Sequence, residues 1–445
     1  MKSRYRLATL AIMTMAFMIS GCSGDSSTGP NLTGDAATFT AKVATEWFRL
    51  SYDRVRAESY SPPRASRAFG YAGVSLYESV VAGMPSYQSL AGHLNGLSTL
   101  PKATDFPYHW PTVANTALAT VMRGMFEGSS QATIDAIDDL EADFNTEFDA
   151  LGLEEEVTAR SLAYGQAIGL AILEWSRRDG YTTLHNCSGY TPSGELGRWE
   201  PTPPAFAPAL EPCWGDMRTF VISSGASCDP GPPPLYSEEE GSPFMIEAVE
   251  VYETASDLTP EQLTIAQFWA DNPGQTGTPP GHSIMILTQI LENEDLNLEV
   301  AAEAYAKVGM AVADAFIACW WTKFEYDLVR PVTCIQDLLE ADWLPPVVTP
   351  PFPEYSSGHS TQSGAAAEVL TGLFGEMTFT DHTHDARGFD PRTFDSFYEF
   401  ADEAAISRLY GGIHYRSAIE LGVDQGVCIG EQVNALPFKK AVVSR

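Results

Sequence analysis

The sequence predicts an all-α protein: a helical bundle, or two packed four-helix bundles, with minimal strand and one long proline-rich excursion. Three observations carry this. Apolar residues recur at steps of four and three, as in Phe39, Val43, Trp47 and Leu50, which is the spacing of one helix face. Helix start signals recur at Ser61-Pro62, Pro111, Thr259-Pro260-Glu261-Gln262 and Pro280-Gly281, with proline or a capping box in the first turn. Strand-like sequence is scarce. Only residues 219–223 and 377–380 have the character of short strands, and strands of that length add little to a fold.

The elements follow in order. One helix runs from Ser61-Pro62 to about Val81. Another opens at Pro111, with Val113, Ala117, Val121 and Met125 on one face. Residues 134–148 form a helix whose acidic outer side reads as a solvated surface. Residues 154–178 form a further helix, stopped near Gly180. The stretch 181–243 is crowded with prolines around Trp199, Trp214 and Tyr236. Aromatics in that mixture pack onto a surface, so an ordered excursion is expected. Helices then run from 259 to about 270, from Pro280 onward, and from 297 to 329, where Pro331 ends the last. A small-residue helix spans 360–374. The final helical stretch, 391–410, is interrupted at Gly411-Gly412 and resumes from 413 to about 434.

Composition bounds the partners. Lys and Arg number 26 against 58 Asp and Glu, a formal charge of −32. That excludes nucleic acid or anionic lipid as the main partner, and it makes any local cluster of cations informative. Residues 1–21 read as a signal peptide, with Lys2, Arg4 and Arg6 before a short apolar run. Ile19-Ser20-Gly21-Cys22 resembles a bacterial lipobox, which implies a lipid on Cys22 as the sole membrane attachment. Residues 22–38, rich in Gly, Ser and Thr, read as a tether, and 39–445 as a single helical domain. The best later membrane span, 308–321, is short and contains Asp314. The body is therefore expected outside the cytoplasm. Cys187, Cys213 and Cys228 lie in loop-like sequence suited to one disulfide, while Cys319, Cys334 and Cys428 read equally well as buried thiols.

Three segments carry chemistry. Pro350 to Glu354 forms a proline-rich loop leading through Tyr355 and Ser356 to Ser357-Gly358-His359 and a helix start. A helix N-terminus containing glycine offers free backbone N–H groups and a positive dipole end to an anion. Lys323 and Arg330 are seven residues apart, which on one helix puts both on the same face, about 10 Å apart along the axis. Trp320, Trp321, Phe324 and Tyr326 surround them, arguing against a simple solvent-facing pair, and buried cations need a partner. Ser407-Arg408 and His414 flank Gly411-Gly412, where a kink lets both side chains aim at one point. The other histidines are bland. His382 and His384 read as a polar surface turn, His282 either lines the pocket or packs, and His93, His109 and His185 carry no constellation.

Taken together, Lys-x6-Arg-Pro, Ser-Gly-His and Ser-Arg-x5-His resemble the three-part signature of the vanadium-dependent haloperoxidases and the type 2 phosphatidic acid phosphatase superfamily. Ser61-Pro62-Pro63 with Arg67, the stretch Trp199 to Pro204, Pro212 with Trp214-Gly215, and Pro279 to His282 are similar to the bacterial haloperoxidase branch. The resemblance implies a vanadate cofactor, with Lys323, Arg330 and Arg408 neutralising its oxygens and Ser357 and the Gly358 N–H as donors. It makes His414 the ligand of the metal and His359 the acid–base group opposite. Trp320 and Phe352 match positions flanking the halide-side pocket. The implied activity is oxidation of a halide, or a small organic acceptor, by hydrogen peroxide. Two alternatives share the pocket: an exported acid phosphatase with His414 as nucleophile, and a lipoprotein that binds an oxyanion without turnover. Two positions depart from the pattern. Ser356 replaces a proline, a mild change if that serine caps the helix. Ala418 stands where many members have the aspartate that orients the second histidine, with Glu420 and Asp424 as candidate substitutes.

Overall fold

A run of 29 residues from Leu298 to Tyr326, rich in alanine and buried almost throughout up to Lys323, sets the architecture. A helix that is apolar on every side must be enclosed by other helices. The computed structural model describes residues 32–441. The expected signal segment 1–21, Cys22 and the start of the tether lie outside the described residues. The helices are α1 (Lys42–Ala57), α2 (Pro62–Val80), α3 (Trp110–Met125), α4 (Gln131–Asp149), α5 (Glu155–Ser176), the short α6 (Tyr181–Leu184), α7 (Pro243–Ser256), α8 (Pro260–Phe268), α9 (Thr278–Asn293), α10 (Leu298–Tyr326), α11 (Pro331–Leu338), α12 (Gly358–Phe374), α13 (Phe397–Tyr410) and α14 (Arg416–Asn434). Strands β1 (Phe379–Asp381) and β2 (Arg392–Phe394) form one small antiparallel ribbon, with Phe379 opposite Phe394. The protein is all-α apart from this ribbon.

Helix α10 joins two helix groups. One side packs on α2, which also contacts α3 and α5; the other packs on α12, which meets α13 and α14. The α12–α14 contact is close. A Cβ added at Gly426 would lie 2.1 Å from the Thr361 carbonyl, so only glycine lets the two backbones approach this far. That approach brings the start of α14 against the start of α12, where Ser357 N donates to the Ala418 carbonyl at 3.0 Å. Helix starts follow the sequence signals. Ser61 Oγ accepts from Arg64 N, and Thr259 and Gln262 form a reciprocal capping box. Among the described residues no helix is long and apolar enough to cross a membrane.

Several expectations are corrected. Residues 219–223 are not a strand: the N–H groups of Phe220, Val221 and Ile222 turn onto the Asp314 carboxylate at 2.6, 2.8 and 3.1 Å. A buried carboxylate inside α10 demands donors, and it outcompetes strand pairing for these three. Helix α13 begins at Phe397, not near 391, because Arg392–Phe394 pair with β1 instead. Helix α10 stops at Tyr326, where Asp327 turns left-handed with φ 49°, and α14 starts only at Arg416. The body reaches back into the expected tether: Ala36–Thr38 form a 3-10 turn with Ala36 buried. Among the described residues Cys187–Cys213 is the disulfide expected of the loop cysteines, and Cys228–Cys428 is a second that was not expected, leaving Cys319 and Cys334 as buried thiols. The excursion is ordered. Trp199 and Trp214 are buried, and Leu210 N donates to the Pro351 carbonyl at 2.9 Å, tying the excursion to the motif loop.

Candidate active site

The end of α10, the loop before α12, the first turn of α12 and the α13–α14 turn meet at one cavity of about 130 Å³. Gly358, His359, Arg408 and His414 line it together with Phe316, Trp320 and Phe352. Lys323, Arg330 and Ser357 are fully buried in the layer next to this lining. Lys323 and Arg330 do not share a helix face as the spacing suggests, since Arg330 is the residue before α11. They converge by gripping the same loop. Arg330 Nε donates to the Phe352 carbonyl at 2.8 Å. Lys323 Nζ gives its protons to the carbonyls of Pro353, Glu354 and Ser356 at 3.0, 2.9 and 2.5 Å. With all three donors committed, Lys323 acts on the cavity through its charge and by fixing the loop.

The first turn of α12 is capped by Ser357, whose Oγ accepts from Ser360 N at 3.3 Å. Ser356 is not the cap; its Oγ donates to Gln425 Oε1 at 2.7 Å. A Cβ added at Gly358 would come no closer than 3.7 Å to Phe316 and Trp320. Protein packing therefore does not demand this glycine, which leaves the N–H end of α12 open to the cavity. Gly412, with φ 71°, turns the chain between Arg408 and His414 as only glycine does without strain. Trp320 and Phe352 pack at 4.8 Å and form the apolar wall with Phe316.

The pocket is electrostatically loaded. Burial lowers Lys323, to about 7, with Arg330 adding to the effect. Burial also lowers Arg330 and Arg408, each to about 10. His414 and His359 are both held well below the ordinary imidazole range, first by burial and then by neighbouring cations. Neutral imidazoles keep one lone pair each. His359 is held by the Trp269 carbonyl, while its Nε2 has no protein partner. His414 Nε2 lies 3.3 Å from Arg330 Nη1.

Two carboxylates that matter escaped the sequence reading. Glu354 is fully buried, and its Oε1 accepts from His414 Nδ1 at 2.7 Å and from Tyr415 N at 2.9 Å. It supplies the orienting acid that Ala418 cannot, whereas Glu420 pairs with Arg416 on the surface and Asp424 is exposed. Burial raises Glu354, to about 8, against the pull of Arg330 and Lys323; two N–H donors on one oxygen suit the carboxylate form. An acid set in an apolar loop among three cations was the available signal. Asp271, just past α8, also lines the cavity. Behind it His384 is fully buried rather than on a surface turn, 3.1 Å from Asp271, while His382 is exposed. His282 lies outside the cavity lining, between Asp271 and Asp381. Burial alone would lower His282, but the two carboxylates hold it up at about 10. Asp271, His282 and His384 have metal-ligand atoms close together, but a carboxylate has the wrong sign to hold an oxyanion, so these residues are not its ligands.

The cage fits vanadate. Arg330 Nη2 is buried with no acceptor, the end of α12 offers N–H groups, and Arg408 lines the cavity with Lys323 and Arg330 buried behind it. A many-oxygened anion satisfies all of these at once. His414 Nε2, its tautomer fixed by Glu354, is the atom that would hold the metal.

Comparison with known proteins agrees with this geometry. Residues 303–440 match the model of the VCPO second helical-bundle domain. The chain is 28% identical to vanadium chloroperoxidase of Curvularia inaequalis across 36% of each protein, so the match spans about a third of that relative. Among solved structures, a bacterial vanadium-dependent iodoperoxidase superposes with TM-score 0.82 at 38% identity, covering 89% of this chain and 96% of that one. The holo form of a bacterial vanadium-dependent chloroperoxidase shares the fold, with TM-score 0.64 at 15% identity over 86% of this chain and 95% of that one.

Proposed function

The chain belongs to the vanadium-dependent haloperoxidase family, and from that premise we propose that it oxidises halide, iodide foremost, with hydrogen peroxide. The observation that carries this is one cavity in which two histidines, buried cations and an aromatic wall converge. The net reaction turns iodide, hydrogen peroxide and one proton into hypoiodous acid and water. Vanadate, when bound, supplies a Lewis acid that activates peroxide without changing oxidation state. The protein's own groups do the rest. Arg330 and Arg408 balance the anion's charge, and His414 orients it through Nε2. His359 Nε2, steadied from its far side by Trp269, holds or delivers the proton the reaction consumes. Phe316, Trp320 and Phe352 exclude water from the reacting atoms. The iodide preference rests on likeness to the iodoperoxidase.

The test is an assay of purified protein reconstituted with orthovanadate, given peroxide and then iodide, bromide or chloride in turn. Iodide oxidation that requires vanadate is expected, with bromide and chloride slower. Hydrolysis of a phosphomonoester with no halide oxidation would overturn the assignment in favour of a phosphatase.

We also propose that the protein is exported and lipid-anchored through Cys22. Two disulfides support an oxidising compartment. Cys22→Ser should release the protein from the membrane fraction of a bacterial host; unchanged membrane partitioning would refute the anchor.

A further inference from the structure

We propose that His282 is a positioning residue: clamped between Asp271 and Asp381, it fixes the Asp271 carboxylate as an ionised counter-charge at the cavity wall beside Arg408 and His359. The proposal rests on the peroxidase reading above. Its basis is geometric. His282 Nδ1 lies 2.9 Å from Asp271 Oδ2 and Nε2 lies 2.7 Å from Asp381 Oδ2; ionised carboxylates only accept, so two of them call for a donor at each nitrogen. An imidazole that donates from both nitrogens carries both protons and a positive charge. All three side chains are buried, the two acids completely. Trp269 stacks on the ring at 4.5 Å, with 21° between planes. Asp381 is itself held, its Oδ1 accepting from Thr383 N at 2.9 Å. Asp271 has φ 44°, a conformation that asparagine and aspartate tolerate but that surroundings must maintain. It lines the same cavity as His359 and Arg408. A bare buried carboxylate there would take up a proton, and the imidazolium prevents this. A bound metal ion is the competing reading of Asp271, His282 and His384, but the Nδ1 line of His282 is already directed at a carboxylate oxygen.

Two measurements test the proposal. In native protein labelled at histidine nitrogen, NMR at mildly alkaline pH should show both ring N–H protons of His282; a single one overturns the proposal. Elemental analysis should find no stoichiometric divalent metal, and one metal per chain lost on His384→Ala overturns it as well. Asp381→Asn and His282→Asn should cut iodide turnover roughly tenfold or more, the usual cost of losing an outer-shell partner. Orthovanadate affinity, measured by equilibrium dialysis, should hold or tighten in Asp381→Asn, where one negative charge is removed, and hold in His282→Asn, where proton uptake by Asp271 offsets the lost imidazolium charge; Arg330, Lys323 and His414 are untouched in both. Parallel loss of affinity and turnover would mean a packing role only, and no change in either would mean no role. If native protein fails to bind orthovanadate, the peroxidase reading falls, while the NMR and elemental results still decide the state of His282.

Discussion

His414→Ala should abolish halide oxidation and weaken orthovanadate binding sharply, both in the same variant. His414 Nε2 faces the cage beside Arg330, and its Nδ1 is committed to Glu354, so Nε2 is the lone pair that a buried carboxylate fixes toward the cage. The loss of affinity should exceed the 10–100-fold that is about typical for outer-shell partners, since a direct ligand is removed. Arg330, Arg408 and the α12 N-terminus remain, so weak, non-productive anion binding should persist. Equilibrium dialysis with orthovanadate and a spectrophotometric iodide assay on the same sample check both halves. Oxidation that survives in the alanine variant would show that the metal is held elsewhere.

Glu354→Gln should have the second largest effect, through two separable consequences. The amide is a weaker acceptor for His414 Nδ1–H and no longer fixes the tautomer, so vanadate affinity should fall about 10–100-fold. Lys323 and Arg330 lose the buried carboxylate that raises their proton affinity, as they lower its own, and leaving buried cations less compensated costs stability. Thermal denaturation without vanadate should therefore show a lower midpoint than wild type, and saturating vanadate should restore part of it by mass action. Glu354→Asp, which keeps the charge, is the control and should lose less in stability. Wild-type affinity in Glu354→Gln would mean that Glu354 does not govern His414.

Much of the cage was legible in sequence because its chemistry is written in residue types. Lys323, Arg330, Arg408, His359 and His414 stand out against a chain of net charge −32, and Ser357-Gly358 announces a helix start. The geometry that joins them was less legible. Spacing put Lys323 and Arg330 on one helix face, yet α10 ends between them, and they meet by clasping the carbonyls of residues 352–356. Glu354 and Asp271 were missed because an acid in a loop says nothing of its burial; burial depends on chain segments far away. The same held for His384, a surface turn by composition and a buried partner of Asp271 in the fold.

The sequence by itself determined that the protein is helical, where most helices start, that the excursion is ordered, and which residues could hold an oxyanion. The helical properties follow from local periodicity, capping and turn chemistry, which act within a few residues, and the oxyanion set follows from the resemblance of three motifs to a known signature. Only the tertiary structure decided that residues 219–223 wrap Asp314 instead of forming a strand, that Cys228 reaches Cys428 across 200 residues, and that Glu354 rather than a residue of α14 orients His414. Each of these depends on where a buried charge or thiol finds its partner. In a close-packed interior that partner is fixed by how helices approach, here by the glycine-permitted contact of α12 with α14, and not by distance along the chain.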